Sequence, residues 1–216
     1  MFELTKGLLG GLPKNGPTDP IEFYRRPIVG GIYRERINRG LRLLPRRQIA
    51  RSLEVGYGAG AVQLALGNGV RERHGIDLDA DPEPVMSLLA RRGQTAALVK
   101  GSVYALPYPD AHFDLVLCFS VFEHLAEYPR ALAEVARTLL PGGHFLLGMP
   151  AVNKGMEYAF RAIGFKGIED HHITTPRSVA ARFADAGFRV VSQDHLDLPM
   201  RRPLGLRLYY NWLLTK

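Results

Sequence analysis

The chain holds a single cysteine, Cys118, in 216 residues, and no apolar run approaches the length of about 18–20 residues that a membrane-spanning helix needs. A lone thiol excludes an internal disulfide. Its place in the apolar stretch Leu115–Phe119 suits a structural thiol in a reducing cytoplasm. No Cys/His cluster has metal-ligand spacing, so no metal is expected. The opening MFELTKGLLGGLPKNG lacks the cationic start and the small-residue cleavage site of a signal peptide. The formal charge is +7, and no RNA-binding motif accompanies it, so nucleic acid is not an expected partner. Much of the charge lies between Arg25 and Arg51, which contain nine arginines. This stretch reads first as a solvated cationic surface. Its sharper reading is attraction to an anionic partner: a phosphorylated or carboxylated substrate, a lipid surface or RNA.

What the chain does have is a glycine turn between two apolar runs, in Arg51–Leu66, RSLEVGYGAGAVQLAL. A short buried strand ends at Val55, and Gly56, Gly58 and Gly60 alternate with Tyr57 and Ala59. Ala61, Val62, Leu64, Ala65 and Leu66 then continue with helical spacing. Glycines here permit positive φ and close approach of a ligand to the main chain, while the free N–H groups of the helix start face it. Two ligand classes fit. Gly56-x-Gly58-x-x-Ala61 meets the loose dinucleotide fingerprint. Glu54, two residues before the first glycine, would crowd a pyrophosphate and suits a ligand bearing an ammonium and a sulfonium.

Around this turn strands and helices alternate. Residues 1 to about 20 form an arm rich in Gly, Pro and Asn. Ile32, Tyr33, Ile37, Leu41 and Leu44 share a helical face within Ile21–Leu44, with Pro27 and Gly30-Gly31 expected to split that stretch. Strands are expected at Arg71–Asp77, Thr95–Lys100, Leu115–Phe119, Phe145–Met149 and Phe188–Gln193, with another in the tail. Helices are expected at Glu83–Arg92 and Glu123–Leu140, near Met156–Ile163, and from Pro176 to Ala186 with Thr175 as N-cap. Strands apolar throughout, alternating with helices, indicate a parallel sheet covered on both faces. The domain division expected is a cover over 1–48 and a cofactor domain over 49–216, with 151–175 as a lid.

Four ordered stretches, LEVGYGAG, GIDLDADPEPV, GSVYALPYPDAHFDLVLCFSVFEHL and RTLLPGGHFLL, resemble the class I S-adenosylmethionine-dependent methyltransferases, and within them the small-molecule group that includes the ubiquinone and menaquinone methyltransferases. The resemblance spans roughly residues 50 to 195. It implies an α/β, Rossmann-like, doubly wound sheet of seven strands, mostly parallel with the last antiparallel, with helices on both faces. It implies S-adenosyl-L-methionine as cofactor. Glu54, Gly56, Tyr57, Gly58 and Gly60 would hold the methionine part, Asp77 the ribose, and Leu78 and Val103 the adenine. Ser102 stands where an aspartate is common, and Phe119 would lie near the methionine part. Tyr57 replaces a smaller residue, so its ring would crowd or shape the donor site.

The implied reaction is in-line methyl transfer from a sulfonium to a small-molecule acceptor, catalysed largely by positioning. Where a base is needed, His171 and His172 on the lid and His124 after the fourth strand are the candidates, each weighed against a packed or exposed histidine. Glu123 is expected to favour a helix N-terminus. A lipid- or quinone-like acceptor is a sub-case, which the basic front and aromatic tail would serve through peripheral membrane contact. The alternatives are a methyltransferase acting on RNA or protein, and a non-catalytic cofactor-binding protein of the same fold.

Overall fold

Seven strands join in one sheet of order β3-β2-β1-β4-β5-β7-β6. The computed structural model describes residues 2–16, 19–151, 172–198 and 206–216. In chain order these give α1 (Ile21–Arg25), α2 (Val29–Leu43), β1 (Ile49–Val55), α3 (Ala61–Leu66), β2 (Val70–Asp77), α4 (Pro82–Arg91), β3 (Ala97–Lys100), β4 (Phe113–Phe119), α5 (Tyr128–Thr138), β5 (Leu139–Pro150), α6 (Pro176–Ala180), β6 (Arg189–Leu198) and β7 (Leu206–Thr215). The first five strands pair in parallel, and β7 runs antiparallel to both β5 and β6. The expected fold class is therefore the one observed. The chain walks outward from β1 to β3, then returns to place β4 on the other side of β1. That reversal opens a crevice at the carboxyl ends of β1 and β4.

Strand side chains alternate between two buried layers, as period-2 geometry requires. In β4, Leu115, Leu117 and Phe119 join the layer under α2, α3 and the N-terminal arm, while Val116 and Cys118 join the layer under α5. The α5 stripe is Ala131, Leu132 and Val135, all fully buried. Local signals mark several helix ends. Asp81 caps α4 through the amide of Glu83, and Gly93 closes it with a Schellman pair, Gly93 N–H to Ala90 and Gln94 N–H to Leu89. Thr175 and Ser178 form the capping box of α6.

Three expected elements differ. The helix expected over Glu123–Leu140 begins only at Tyr128, because Pro129 suits the first turn and the Glu123 and Leu125 carbonyls accept bonds from residues 173 and 174 instead of helical amides. Its last two residues already belong to β5. The helix after Thr175 stops at Ala180 and gives way to turns. Gly30-Gly31 does not break the second helix; α2 runs through both. A Cβ on Gly30 would lie 2.2 Å from the Tyr24 carbonyl, so this glycine lets α1 approach α2. The expected helix at Met156–Ile163 lies outside the described residues.

The N-terminal segment packs into the same core: Leu4, Leu9, Leu12, Ile21 and Tyr24 are buried. The backbone of Leu4 exchanges two hydrogen bonds with the Asn38 amide on α2. Further along α2, Arg39 pairs with Asp194 of β6 at 3.1 Å, and Asn211 of β7 donates to the Arg36 carbonyl at 3.0 Å. Arg25, Arg34, Arg39 and Arg42 of the basic stretch all bond within the chain. That stretch is therefore tied into the fold as well as solvated.

Two glycines of α2 should respond oppositely to alanine. Gly31 has open space around it, so Gly31→Ala should stabilise by up to about 1 kcal/mol. At Gly40 a Cβ would meet Asn211 Oδ1 at 2.7 Å and Phe119 Cε1 at 2.8 Å. Gly40→Ala should destabilise by about 1–3 kcal/mol. At roughly 2–4 °C per kcal/mol, thermal melts resolve both signs.

Candidate functional site

A cavity of about 870 Å³ occupies the crevice, toward the upper end of the roughly 300–1,000 Å³ common for ligand sites. Its floor is the turn after β1. Gly56, Gly58 and Gly60 all have positive φ, at 80°, 47° and 82°. A Cβ on Gly56 would strike Val121 at 2.3 Å and one on Gly60 would strike Val85 at 2.4 Å, so these two glycines bring neighbouring elements against the turn. A Cβ on Gly58 would meet nothing closer than the Asp19 carboxylate at 3.8 Å, so a ligand can approach the chain at this glycine.

The turn is held from two sides. Asp77, at the end of β2, accepts the Gly58 amide on Oδ2 and the Asp79 and Ala80 amides on Oδ1, each at 2.9 Å. From the N-terminal arm, Asn15 donates to the Gly58 carbonyl at 3.0 Å and the Asp81 carbonyl at 2.8 Å, and accepts the Asp81 amide at 2.9 Å. Asp19 follows on the same arm and lines the cavity, its carboxylate accepting the amides of Asn15 and Ile21. Burial raises its pKa, against the pull of those two amides.

Glu54 lines the cavity while only 3 % exposed, and its Oε2 has no hydrogen-bond partner. Burial pushes this carboxyl well above the ordinary range; a Gln63 hydrogen bond opposes the shift and the Asp77 charge adds to it. A buried carboxyl with one orphaned oxygen, with Asp19, Asp77 and Asp79 lining the same cavity, suits a cationic ligand. The residues present therefore fit a cofactor that carries an ammonium and a sulfonium.

All the cofactor residues expected from sequence line the cavity except Gly60, whose place is the packing contact with Val85. Leu78 is 64 % exposed at the rim. The Ser102 hydroxyl accepts the Tyr104 amide at 3.2 Å. Tyr57 is buried and donates its hydroxyl to the Ala80 carbonyl at 3.0 Å, so it straps the glycine turn to the loop after β2. The Phe119 ring sits between α2 and β5, against Gly40 and Gly148.

Beyond β4 the wall changes character. Ser120 takes φ 57°, donates its amide to the Gly148 carbonyl and pairs its hydroxyl with Tyr209 at 2.8 Å. A 3-10 turn, Phe122–His124, follows. The Glu123 carbonyl accepts the amides of Ile173 and Thr174, which draws residues 172–174 onto this turn. His124 and His172 thereby meet on the cavity wall with ring centroids 5.5 Å apart, and His124 Nε2 is 3.9 Å from Glu123 Oε1. The nearest ligand atoms of Glu123, His124 and His172 lie within 4.8 Å of one another. Spacing along the chain shows no such cluster; the fold assembles it from two segments. His171 lies outside the described residues. Glu123 does not start a helix as expected. It is buried, its Oε2 is unpartnered, and burial raises its pKa to about 8, against its own amide, the Arg36 charge and a Ser120 hydrogen bond. Asn15, Asp19, Tyr24, Arg36 and Ser120 are site residues that the sequence does not single out.

With this geometry in place, the comparisons with known proteins are decisive for the class. A family model described as a methyltransferase domain matches residues 53–147. The demethylmenaquinone methyltransferase of Deinococcus radiodurans is 32% identical over 175 residues, covering 76% of this chain and 70% of that protein. The methyltransferase YcgJ of Bacillus subtilis is 34% identical over 99 residues, covering 45% of this chain and 39% of that protein. The chain aligns with well under half the length of several curated relatives. The crystal structure of the Bacillus YcgJ protein superposes with a TM-score of 0.62 at 18% identity, covering 83% of this chain and 96% of that one. The chain belongs to the class I S-adenosylmethionine-dependent methyltransferases.

Glu123 generates a pH prediction. An unfolded glutamate titrates near 4.5 and the folded one near 8, so between these values the folded chain retains a proton that the unfolded chain has lost. Its contribution to stability is therefore present at acidic pH and disappears as pH rises through 8. Melting the wild type and Glu123→Gln side by side should show the difference in Tm moving in favour of the variant from pH 5 to pH 8. A pH-independent difference would contradict a buried, raised Glu123.

Proposed function

We propose that the protein transfers a methyl group from S-adenosylmethionine to a small, partly apolar acceptor of quinol- or lipid-like kind. The observation that carries this reading is the buried Glu54 carboxyl, whose Oε2 has no partner, lining one cavity with the glycine turn. S-adenosylmethionine, when bound, supplies an electrophilic methyl on a sulfonium. Glu54 and the Gly56–Gly60 backbone would hold its methionine part. Asp77 would hold the ribose, exchanging an amide partner for a hydroxyl, and Leu78, Ser102 and Val103 would hold the adenine. Ile21, Ile37, Phe119, Val121 and Ile173 offer the acceptor an apolar wall. The Deinococcus relative's name supports a quinone-like acceptor.

Catalysis would rest on orientation in a site shielded by the N-terminal cover and by His172 and Ile173; most of the lid expected over 151–175 lies outside the described residues. His124 and His172 would take the acceptor's proton, with Glu123 behind them at a pKa suited to proton exchange near neutral pH. Among the described residues no helix is long and apolar enough to cross a membrane. The same reading gives the basic front a peripheral contact with anionic lipid, where Ile28 is 81 % exposed beside Arg25 and Arg26. Sedimentation with anionic vesicles at low salt tests that contact. The buried Cys118 supports a cytoplasmic location.

Calorimetry should find micromolar binding of S-adenosylmethionine and none of NAD. Glu54→Gln should weaken the first by about 10–100-fold, the loss of a charge-assisted hydrogen bond worth roughly 1.5–3 kcal/mol. The same change should raise the Tm of the ligand-free protein, because it removes an unpaired buried carboxyl. NAD binding alone would overturn the reading. With an acceptor in hand, replacing both His124 and His172 by alanine should lower kcat by roughly 10²–10⁴-fold with cofactor affinity unchanged. Unchanged turnover would remove them as bases.

A further inference from the structure

Arg36, on α2, is the one arginine or lysine among the described residues lining the cavity. The other charged groups there are the carboxylates of Asp19, Glu54, Asp77 and Asp79, which gather about the glycine turn, and the two histidines. Arg36 also differs from the chain's surface arginines. Arg39, Arg42, Arg137, Arg182 and Arg207 each pair with a carboxylate. Among the described residues no carboxylate lies within ion-pair distance of Arg36, although its charge acts on Glu123; the Arg36 Nε is shielded from solvent with no hydrogen-bond partner.

Aromatic rings surround it instead. The guanidinium carbon lies 4.2 Å from the Tyr33 ring centre, 5.2 Å from Tyr209 and 5.6 Å from Tyr24. Nη2 donates to the Tyr24 hydroxyl at 3.1 Å. These faces fix the plane of the fork and favour the cation, but they leave the Nε donor unmet. A shielded guanidinium with an open donor is costly unless something accepts from it. A planar fork held between rings matches a planar oxyanion better than a point charge does.

We propose that Arg36 anchors the methyl acceptor, and that the acceptor carries a planar oxyanion, either a carboxylate or the ionised hydroxyl of an acidic phenol. This rests on the methyltransferase reading above and gives that site its acceptor chemistry. The cavity is then divided by charge. Carboxylates about Gly58 receive the cationic cofactor, and Arg36, beside Tyr209 whose hydroxyl pairs with Ser120, receives an anion. Opposite charges on the two ligands would favour their occupying the cavity together.

The test uses the full chain at pH 8 with S-adenosylhomocysteine filling the cofactor end, and two matched probe pairs in calorimetry. One pair is 2-naphthoate against 2-naphthamide; the other is ionised 4-nitro-1-naphthol against 1-naphthol. The expected result is at least a tenfold preference for the anion in one pair, and which pair shows it identifies the oxyanion. Arg36→Met should reduce that preference to under threefold while S-adenosylhomocysteine affinity stays within twofold. Arg36→Lys, which keeps a charge between the rings but loses the fork, should lose most of it and serves if the methionine variant does not fold. Anions and neutral partners within threefold of each other in the wild type, or a preference surviving in either variant, would overturn the proposal. Failure of the wild type to bind S-adenosylhomocysteine would overturn the methyltransferase reading itself; binding without anion preference would overturn this inference alone.

Discussion

The amide of Gly58 donates to Asp77 while its carbonyl accepts from Asn15, and the rest of the site depends on that double hold. A turn with three positive-φ glycines has high conformational entropy when unfolded and few side-chain contacts when folded. Asp77 fixes it to the end of β2, and Asn15 fixes it to the N-terminal arm and the start of α4. Tyr57 adds a third strap through Ala80. The turn is thus rigid before any ligand arrives. A ligand that accepts from the turn competes with, or adds to, bonds that already orient the backbone, and it need not organise a loose loop.

Electrostatics gives the cavity its direction. Glu54, Glu123 and Arg36 each have a shielded polar atom without a partner, and each such atom costs stability in the ligand-free chain. Their separation by sign makes that cost informative. Glu54 belongs to the carboxylate group by the turn; Arg36 stands among tyrosines under α2; Glu123 lies behind two histidines. A binding partner that satisfies any of these recovers part of the cost, so ligand binding and folding stability are coupled through the same few atoms.

The glycine-turn end of the cavity was legible in the sequence because its signals are local. Glu54 and the glycines alternate with other residues over 54–60, Asp77 marks a strand end, and the caps at Asp81, Gly93 and Thr175 follow from residue type at one place in the chain. The opposite end was not, because its residues meet only through tertiary structure. Arg36 looks like one more charge on a basic helix until Tyr24, Tyr33 and Tyr209 are seen around it. The pair His124 and His172 comes together because residues 173 and 174 bond to the Glu123 carbonyl. Ser120 has a left-handed backbone that its own type does not announce. The helix expected across Glu123 failed for the same reason: periodicity was satisfied, but distant amides claimed the carbonyls.

The position of β7 between β5 and β6 has a kinetic side. Among the described residues β6 pairs with no strand but β7, so it leaves the ribosome before its partner and waits for β7 to follow. Arg39 cannot reach its Asp194 partner, nor Tyr209 its place beside Arg36, until that long-range closure occurs. The carboxylates about the glycine turn, Asp19, Glu54, Asp77 and Asp79, need none of this. During synthesis the two ends of one cavity therefore mature at different times: the carboxylate end can form first, and the cationic end is completed when β7 pairs.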